Sequence, residues 1–428
     1  MGGGQVYSRQ NIKKLTVTEC VRMIDGDGVW MIKLKMQSLA KSSFRANLIA
    51  MQILGFYPPE NYKKCYKVYS YCVYVIFTIL IPLLAAMNLL VGQEIDLGQI
   101  SDNAFLVCQT GCFIVKFLPF VKNDDLVKKS IYMLEAPIFN IATTNNQEEI
   151  ILECVSTCRR NCRLFLTFCL ITLINWAIIP FFIPGKHLPI EIWLPFDYKT
   201  DQKLYVLSFL YAVAGVGNGA LSSGVIDPLL AGLTSHATSQ IRLLKNNLEF
   251  LEEYAEKEIQ TICVNNVEKE LRKFQLIYEK IKLCVRHHDA ILDFVNTFEN
   301  TYSLAIFFQF AASVVVICIS CLRLSMVEPF TFTFFAMILF LCTMLAEVFL
   351  YCYYGTILFE ENNTLISSIY MGKWYNYDVK SQRALITLME RSKRPLIITA
   401  GQILDLSLET FTTILRRAYS LLAVLKNY

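Results

Sequence analysis

Seven runs of mostly apolar residues along the chain are long enough to cross a hydrocarbon core as helix: Val68 to Val91, Asn103 to Val121, Leu164 to Ile183, Leu204 to Leu233, Tyr302 to Leu322, Phe330 to Tyr354 and Gln402 to Leu425. The stretches between them differ in kind. Glu249 to Asn296 keeps a helical period but carries LEFLEEYAEKE and VEKELRKF, too many charges to span, and reads as a helical extension between the fourth and fifth spans. LGFYPPE, Leu54 to Glu60, sets helix-ending prolines and interfacial aromatics just before the first span, as a membrane-surface elbow would. The pattern divides the chain into an N-terminal segment with that elbow (1-67), four spans (68-233), the helical extension (234-300), two spans (301-354), a second extramembrane segment (355-401) and a final span (402-428).

Composition agrees with a membrane protein: 54% of residues are hydrophobic, 18% are charged, and the mean hydropathy is +0.42. The net charge of +4 is small and its lysines and arginines are dispersed, which argues against nucleic acid as a partner. Their distribution sets an orientation instead. Of 40, 32 fall in the segment up to and including Lys67, in Lys122 to Arg163, in Thr234 to Asn300 and in Gly355 to Gly401, whereas the alternate side holds only Lys186, Lys199, Lys203, Arg323 and Lys426. The positive-inside rule then puts the N-terminus in the cytosol and the C-terminus outside. The first 40 residues include Arg9, Lys13, Lys14, Arg22, Asp25 and Asp27 and hold no apolar core for a signal peptide, which agrees. The fold class expected is an all-α membrane protein of seven helices with a cytoplasmic helical anchor region. The 15 cysteines, mostly in apolar or cytoplasmic segments, are expected to be free thiols.

The last span is amphipathic along its whole length. At about 100° per residue, Asp405, Glu409, Thr412, Thr413, Arg416, Ser420 and Asn427 share one face, with Arg417 and Val424 on its flank and leucines and isoleucines opposite. A charge facing lipid at mid-bilayer costs on the order of 3 kcal/mol, so the stripe needs water or partners. Several copies around an axis would line a pore. Ser420, Val424 and Tyr428 follow one another at i, i+4 toward the outer end, where a ring of Val424 could gate by dewetting. Guanidinium rings repel cations, so Arg416 suits the wide inner part or a pair with a neighbour's Glu409. Pairing of the carboxylates with arginines of the same bundle is the plainer alternative.

A cytosolic N-terminus inverts the chain relative to a G-protein-coupled receptor. The outer loop Gly185 to Lys203 has no cysteine, and neither Asp-Arg-Tyr nor Asn-Pro-x-x-Tyr stands at the expected helix ends. A G-protein-coupled chemoreceptor and a polytopic transporter are the alternatives of other classes; beyond the glycines of the fourth span, no internal repeat or broken helix favours a transporter. No nucleophile, base and orienting acid come together, so the chain is not expected to be an enzyme.

Trp374, Pro395-Leu396, Ala400-Gly401, SLETF (Ser407 to Phe411) and AYS (Ala418 to Ser420) give the C-terminal end a recognisable signature. It resembles that of insect odorant receptors, and the seven inverted spans with a long fourth-to-fifth extension match along the whole chain. The Thr-Tyr followed five residues later by Gln-Phe that is usual in this last helix of the sister gustatory receptors, whose channel type is a further alternative, is absent from it. The resemblance implies an odorant-gated, non-selective cation channel in the plasma membrane of an olfactory neuron dendrite. It also implies a tetramer of this tuning subunit with a co-receptor, held by a cytoplasmic anchor and lined by the last helix. Its partners would be a volatile odorant, the co-receptor subunit, membrane lipid and permeant cations, with no cofactor. The odorant pocket implied lies in the outer halves of the second, third, fourth and sixth spans. Those halves offer Phe105, Cys108 and Gln109; Thr172, Asn175 and Trp176; Tyr205, Ser208 and Tyr211; and Phe334, Phe335 and Ile338. Aromatic walls with a few hydrogen-bonding groups suit a volatile of modest polarity, although ordinary helix packing would use the same residues.

Three smaller features complete the reading. AGVGNGALSSG, Ala214 to Gly224, lacks the strand a phosphate loop needs and is expected to kink the fourth span or let helices approach closely. Cys154, Cys158 and Cys162 lie on one helix face, but no fourth zinc ligand is near in sequence and no metal site is expected. RHHD, Arg286 to Asp289, is expected on a solvated face. The sequon Asn362-Asn363-Thr364 falls on the cytosolic side and should stay unmodified.

Overall fold

The computed structural model describes residues 39–59, 63–91, 97–123, 125–139, 144–182, 185–260 and 266–426. Helix dominates. The elbow comprises α1 (Leu39–Ser43) and α2 (Arg45–Leu54). The first span is a continuous run of α3 (Lys63–Val73), a π-helical turn (Tyr74–Ile79) and α4 (Leu80–Val91), followed by α5 (Leu97–Lys122) and α6 (Leu126–Leu134). Then come α7 (Asn145–Ile178), α8 (Gln202–Glu249), α9 (Leu251–Gln260), α10 (Asn266–Met326) and α11 (Phe332–Asn363). The chain continues through α12 (Leu365–Met371) and α13 (Val379–Ser392) to an antiparallel hairpin of β1 (Thr399–Ala400) and β2 (Leu404–Asp405), and then to α14 (Leu408–Lys426).

Among the described residues, five helical runs are long and apolar enough to cross a membrane: Lys63–Leu90, Asn145–Phe182, Gln202–Glu249, Arg272–Met326 and Phe332–Met371. They contain the first, third, fourth, fifth and sixth expected spans. The second is α5, 26 residues packed along α10. The last is α14, which at 19 residues is about 28 Å long and carries Glu409, Arg416, Arg417 and Lys426. It starts later than the expected Gln402. Gly401 and Gln402 adopt φ of 62° and 58°, which no right-handed helix allows, and they turn the β hairpin instead. Asp405 therefore lies in β2 and drops out of the helical stripe. Ser407 Oγ accepts from Thr410 N at 3.1 Å and opens α14 one turn further on.

With 48 and 61 residues, α8 and α10 are about 70 and 90 Å long against a hydrocarbon core of about 30 Å. Their ends beyond the apolar stretches pack on each other through Ile241, Leu244 and Leu248 against Ile277, Ile281 and Ile291. That packing overturns the solvated reading of RHHD. His287 and His288 are both buried, with His287 Nε2 donating to Gln240 Oε1 at 2.9 Å and its ring edge-on to Phe139.

The elbow ends its helix by a different device than its prolines. Gly55, with φ of 92°, closes α2 in the left-handed conformation ahead of Pro58 and Pro59. In the fourth span, α8 runs unbroken through the glycines, so close packing is their role. A Cβ on Gly219 would meet the Phe113 ring at 2.6 Å, an approach between α8 and α5 that only glycine permits. All thirteen described cysteines are free.

Candidate ligand-binding site

A narrow cavity of about 80 Å³ lies between four spans. Gln109 and Phe113 of α5, Phe165, Cys169, Thr172, Leu173 and Trp176 of α7, Val216, Ala220 and Ser223 of α8, and Phe340, Thr343, Met344 and Glu347 of α11 line it. The glycines of α8 draw α5 and α7 close: a Cβ on Gly219 would meet Phe113, and one on Gly217 or Gly224 would meet Leu173 or Cys169.

Its polar groups are largely bonded within the walls. Thr172 and Thr343 each donate their hydroxyl proton to the carbonyl one turn back, Phe168 O and Leu339 O, both at 2.9 Å. The two hydroxyls also lie 3.1 Å apart and bond to each other, with either able to donate. Gln109 is buried, and its Oε1 has no partner among the described residues. A buried acceptor left unpaired carries a desolvation cost of about 1–3 kcal/mol that a hydroxyl donor entering the cavity would relieve.

The floor is charged. Lys116 Nζ lies 2.7 Å from Asp227 Oδ1, 2.7 Å from Glu347 Oε1 and 3.0 Å from Ser223 Oγ, and Tyr351 donates to Asp227 Oδ1 at 2.7 Å. Lys116 and Asp227 are 2% and 0% exposed, so one cation and two carboxyl groups share a buried site in which the charges must be paired. The three groups come from α5, α8 and α11, so the cluster ties together three of the four walls directly beneath the apolar space.

Of the residues expected to bind ligand, the cavity brings together Gln109, Thr172 and Trp176. Ser208, Tyr211, Phe334 and Ile338 lie outside its lining. Tyr211 donates to Ile76 O at 2.9 Å, Ser208 is buried in the bundle, and Phe334 packs against Phe330 and Phe335. The side chain of Phe105 falls outside the described residues. The floor itself escaped the sequence reading, although its signal was visible: Lys116, Asp227 and Glu347 are isolated ionisable residues inside apolar spans, each a functional candidate on that ground alone.

In α14, Ile414 and Ala418 are buried against α10 and α11, while Glu409, Thr412, Arg416, Arg417, Ser420 and Val424 are exposed. Neither arginine is paired with a carboxylate among the described residues. Tyr428 lies outside the described residues.

Comparison with known proteins follows the same lines. A family profile described as 7tm Odorant receptor matches residues 96–419. The chain is 25% identical over 404 residues to odorant receptor Or1 of Anopheles gambiae, covering 90% of this chain and 95% of that one. It is 26% identical over 342 residues to odorant receptor 94a of Drosophila melanogaster, covering 78% and 82%. Among solved structures it is similar to the olfactory receptor OR5 of Machilis hrabei, with a TM-score of 0.76 at 15% identity over 90% of this chain and 97% of that one. The same receptor in complex with eugenol gives a TM-score of 0.77 at 15% identity, covering 92% and 99%.

Proposed function

The chain belongs to the 7tm odorant receptor family, and from that membership we propose that it is the odorant-binding subunit of a ligand-gated, non-selective cation channel, opened by a small volatile in the cavity between α5, α7, α8 and α11. The observation that carries the reading is the cavity itself: aromatic walls, two threonine hydroxyls already bonded within those walls, and one unpaired acceptor, Gln109 Oε1. Such a site selects a compact apolar molecule that brings one hydrogen-bond donor, an alcohol or a phenol. Eugenol, the ligand in the Machilis hrabei receptor complex, is a molecule of that kind.

Seven spans, a cytosolic N-terminus and an extracellular C-terminus complete the reading, supported by the lysine and arginine distribution. The packed ends of α8 and α10, together with α12 and α13, form the cytoplasmic anchor. In a tetramer with a co-receptor, α14 turns its exposed face to the pore, with Glu409 and Arg416 toward the inner side and Ser420, Val424 and Tyr428 toward the outer. The unpaired Arg416 and Arg417 favour a mixed assembly, since four copies would crowd eight guanidinium groups around one axis.

Whole-cell current to a panel of volatile alcohols and phenols, with and without the co-receptor and with G-protein signalling blocked, tests this. Fast currents that survive the block and need the co-receptor are expected. Responses that vanish under the block overturn the channel reading in favour of a G-protein-coupled receptor.

A further inference from the structure

Cys154 and Cys158 stand one turn apart on α7, and α8 brings His236 against them. One ligand atom from each residue lies within 4.8 Å of the others, and all three residues are buried. Cys162, one turn further along, is not part of the group. We propose that Cys154, Cys158 and His236 form a zinc site that staples the elbow, α7 and α8 together.

The geometry needs little adjustment. Zinc binds thiolate at about 2.3 Å and imidazole at about 2.0 Å in a tetrahedron, which sets donor atoms roughly 3.5–4 Å apart. Side-chain rotation within a site already held to 4.8 Å reaches that spacing. The imidazole is also oriented as a metal ligand requires. His236 Nε2 lies 3.0 Å from the Ser43 hydroxyl and the ring packs on Phe44 at 5.3 Å; the proposal assigns Nδ1 to the metal, with Ser43 as the outer partner of the imidazole.

Charge selects the ion. Two thiolates and a divalent zinc sum to zero, the balance a buried site tolerates best, whereas monovalent copper would leave a net negative charge in the same surroundings. A fourth position has two candidates in place: Ser235 Oγ, 3.5 Å from Cys154 Sγ, and the Gly232 carbonyl, 3.8 Å from Cys158 Sγ. A half-open polar cavity lined by Cys154, Ser235, Asn161 and Arg242 adjoins the site and gives both a water and an access route. Ligand identity, charge balance, outer partner and access therefore all agree, and none depends on what the apolar cavity binds.

The test is metal content of the full-length chain purified in detergent from zinc-supplemented cells. Elemental analysis should find stoichiometric zinc in the wild-type chain and in C162S, and loss of it in C154S and C158S. Removing zinc and adding Co²⁺ to the wild-type chain should produce thiolate-to-cobalt charge-transfer absorption with tetrahedral ligand-field bands, and H236Q should weaken Co²⁺ binding by at least tenfold. Should the cysteine variants fail to fold, the wild-type cobalt spectrum and its persistence in C162S still decide. A wild-type chain that carries no zinc and gives no thiolate-to-cobalt band overturns the proposal, as does zinc that is lost equally from C162S.

Discussion

Lys116 is the one cation in a dry cluster that also holds Asp227 and Glu347, each with an oxygen 2.7 Å from its ammonium. Substituting Lys116→Met keeps much of the side-chain volume and removes the charge. Asp227 would retain Tyr351 and Ser223 nearby, yet a buried carboxylate stripped of its cation costs about 3–5 kcal/mol. Charge counting predicts a different result for Glu347→Gln, which leaves one lysine facing one aspartate and should stay within about 1 kcal/mol of wild type. The double variant K116M/D227N removes the cation and one anion together and should recover most of the K116M loss, because the remaining Glu347 can be neutral. Thermal stability of the detergent-solubilised chain, read by fluorescence-detected size exclusion, ranks the four proteins. The expected order is wild type close to E347Q, then the double variant, then K116M. If K116M melts with wild type, or if E347Q is as damaged as K116M, the one-cation, two-carboxyl account is wrong.

Other consequences are as direct. Replacing Gln109 by Leu removes the unpaired acceptor and should raise the half-maximal concentration for a hydroxyl-bearing odorant by roughly tenfold, about 1.4 kcal/mol, with little change for its methyl ether; equal shifts for both would refute the donor preference. Substituting Y198N completes an Asn-Lys-Thr sequon with Lys199 and Thr200 in the outer loop and should add one glycan removable by endoglycosidase, whereas Asn362, only 1% exposed, is too buried for its own silence to report orientation. Thr356→Val deletes the hydroxyl that accepts from Leu408 N at 2.9 Å and should alter odorant-evoked current while odorant binding, measured directly, stays within about twofold, or 0.4 kcal/mol.

Five of the expected spans were legible because a bilayer imposes length and apolarity on every crossing, a constraint written into contiguous residues. Their inward faces were less so. Gln109, Thr172 and Trp176 meet in the cavity while Ser208, Tyr211, Phe334 and Ile338 do not, since a helix that is apolar nearly all round carries no mark of which side meets its neighbours. Lys116, Asp227 and Glu347 were conspicuous as charges, but their union spans 111 and 231 residues of sequence and only the packed bundle joins them. The late start of α14 was hidden for a local reason: Ala400-Gly401 belongs to a recognisable signature, yet nothing in the letters states that Gly401 and Gln402 both turn left-handed. RHHD failed through its charged neighbours, which are solvated while the two histidines are not.

How a ligand could reach the pore follows from α11. Its Glu347 is part of the cavity floor, and about 14 Å along the same helix Thr356 receives the first amide of α14. Between them the Phe349 ring meets Phe411 of α14 at 5.7 Å, and Gly355 lets the Leu406 carbonyl rest against the helix backbone where a Cβ would overlap it. A molecule entering so small a cavity must push a wall. α5 and α8 are held to each other by close glycine contact, whereas α11 is joined to them in the cluster at Glu347 and Tyr351, so it can pivot there as a body. On the proposed function α11 is the wall that yields. Its movement is passed to α14 through three short contacts, the Gly355 backbone against the Leu406 carbonyl just ahead of α14, the Thr356 hydroxyl on Leu408 N and the Phe349 ring on Phe411.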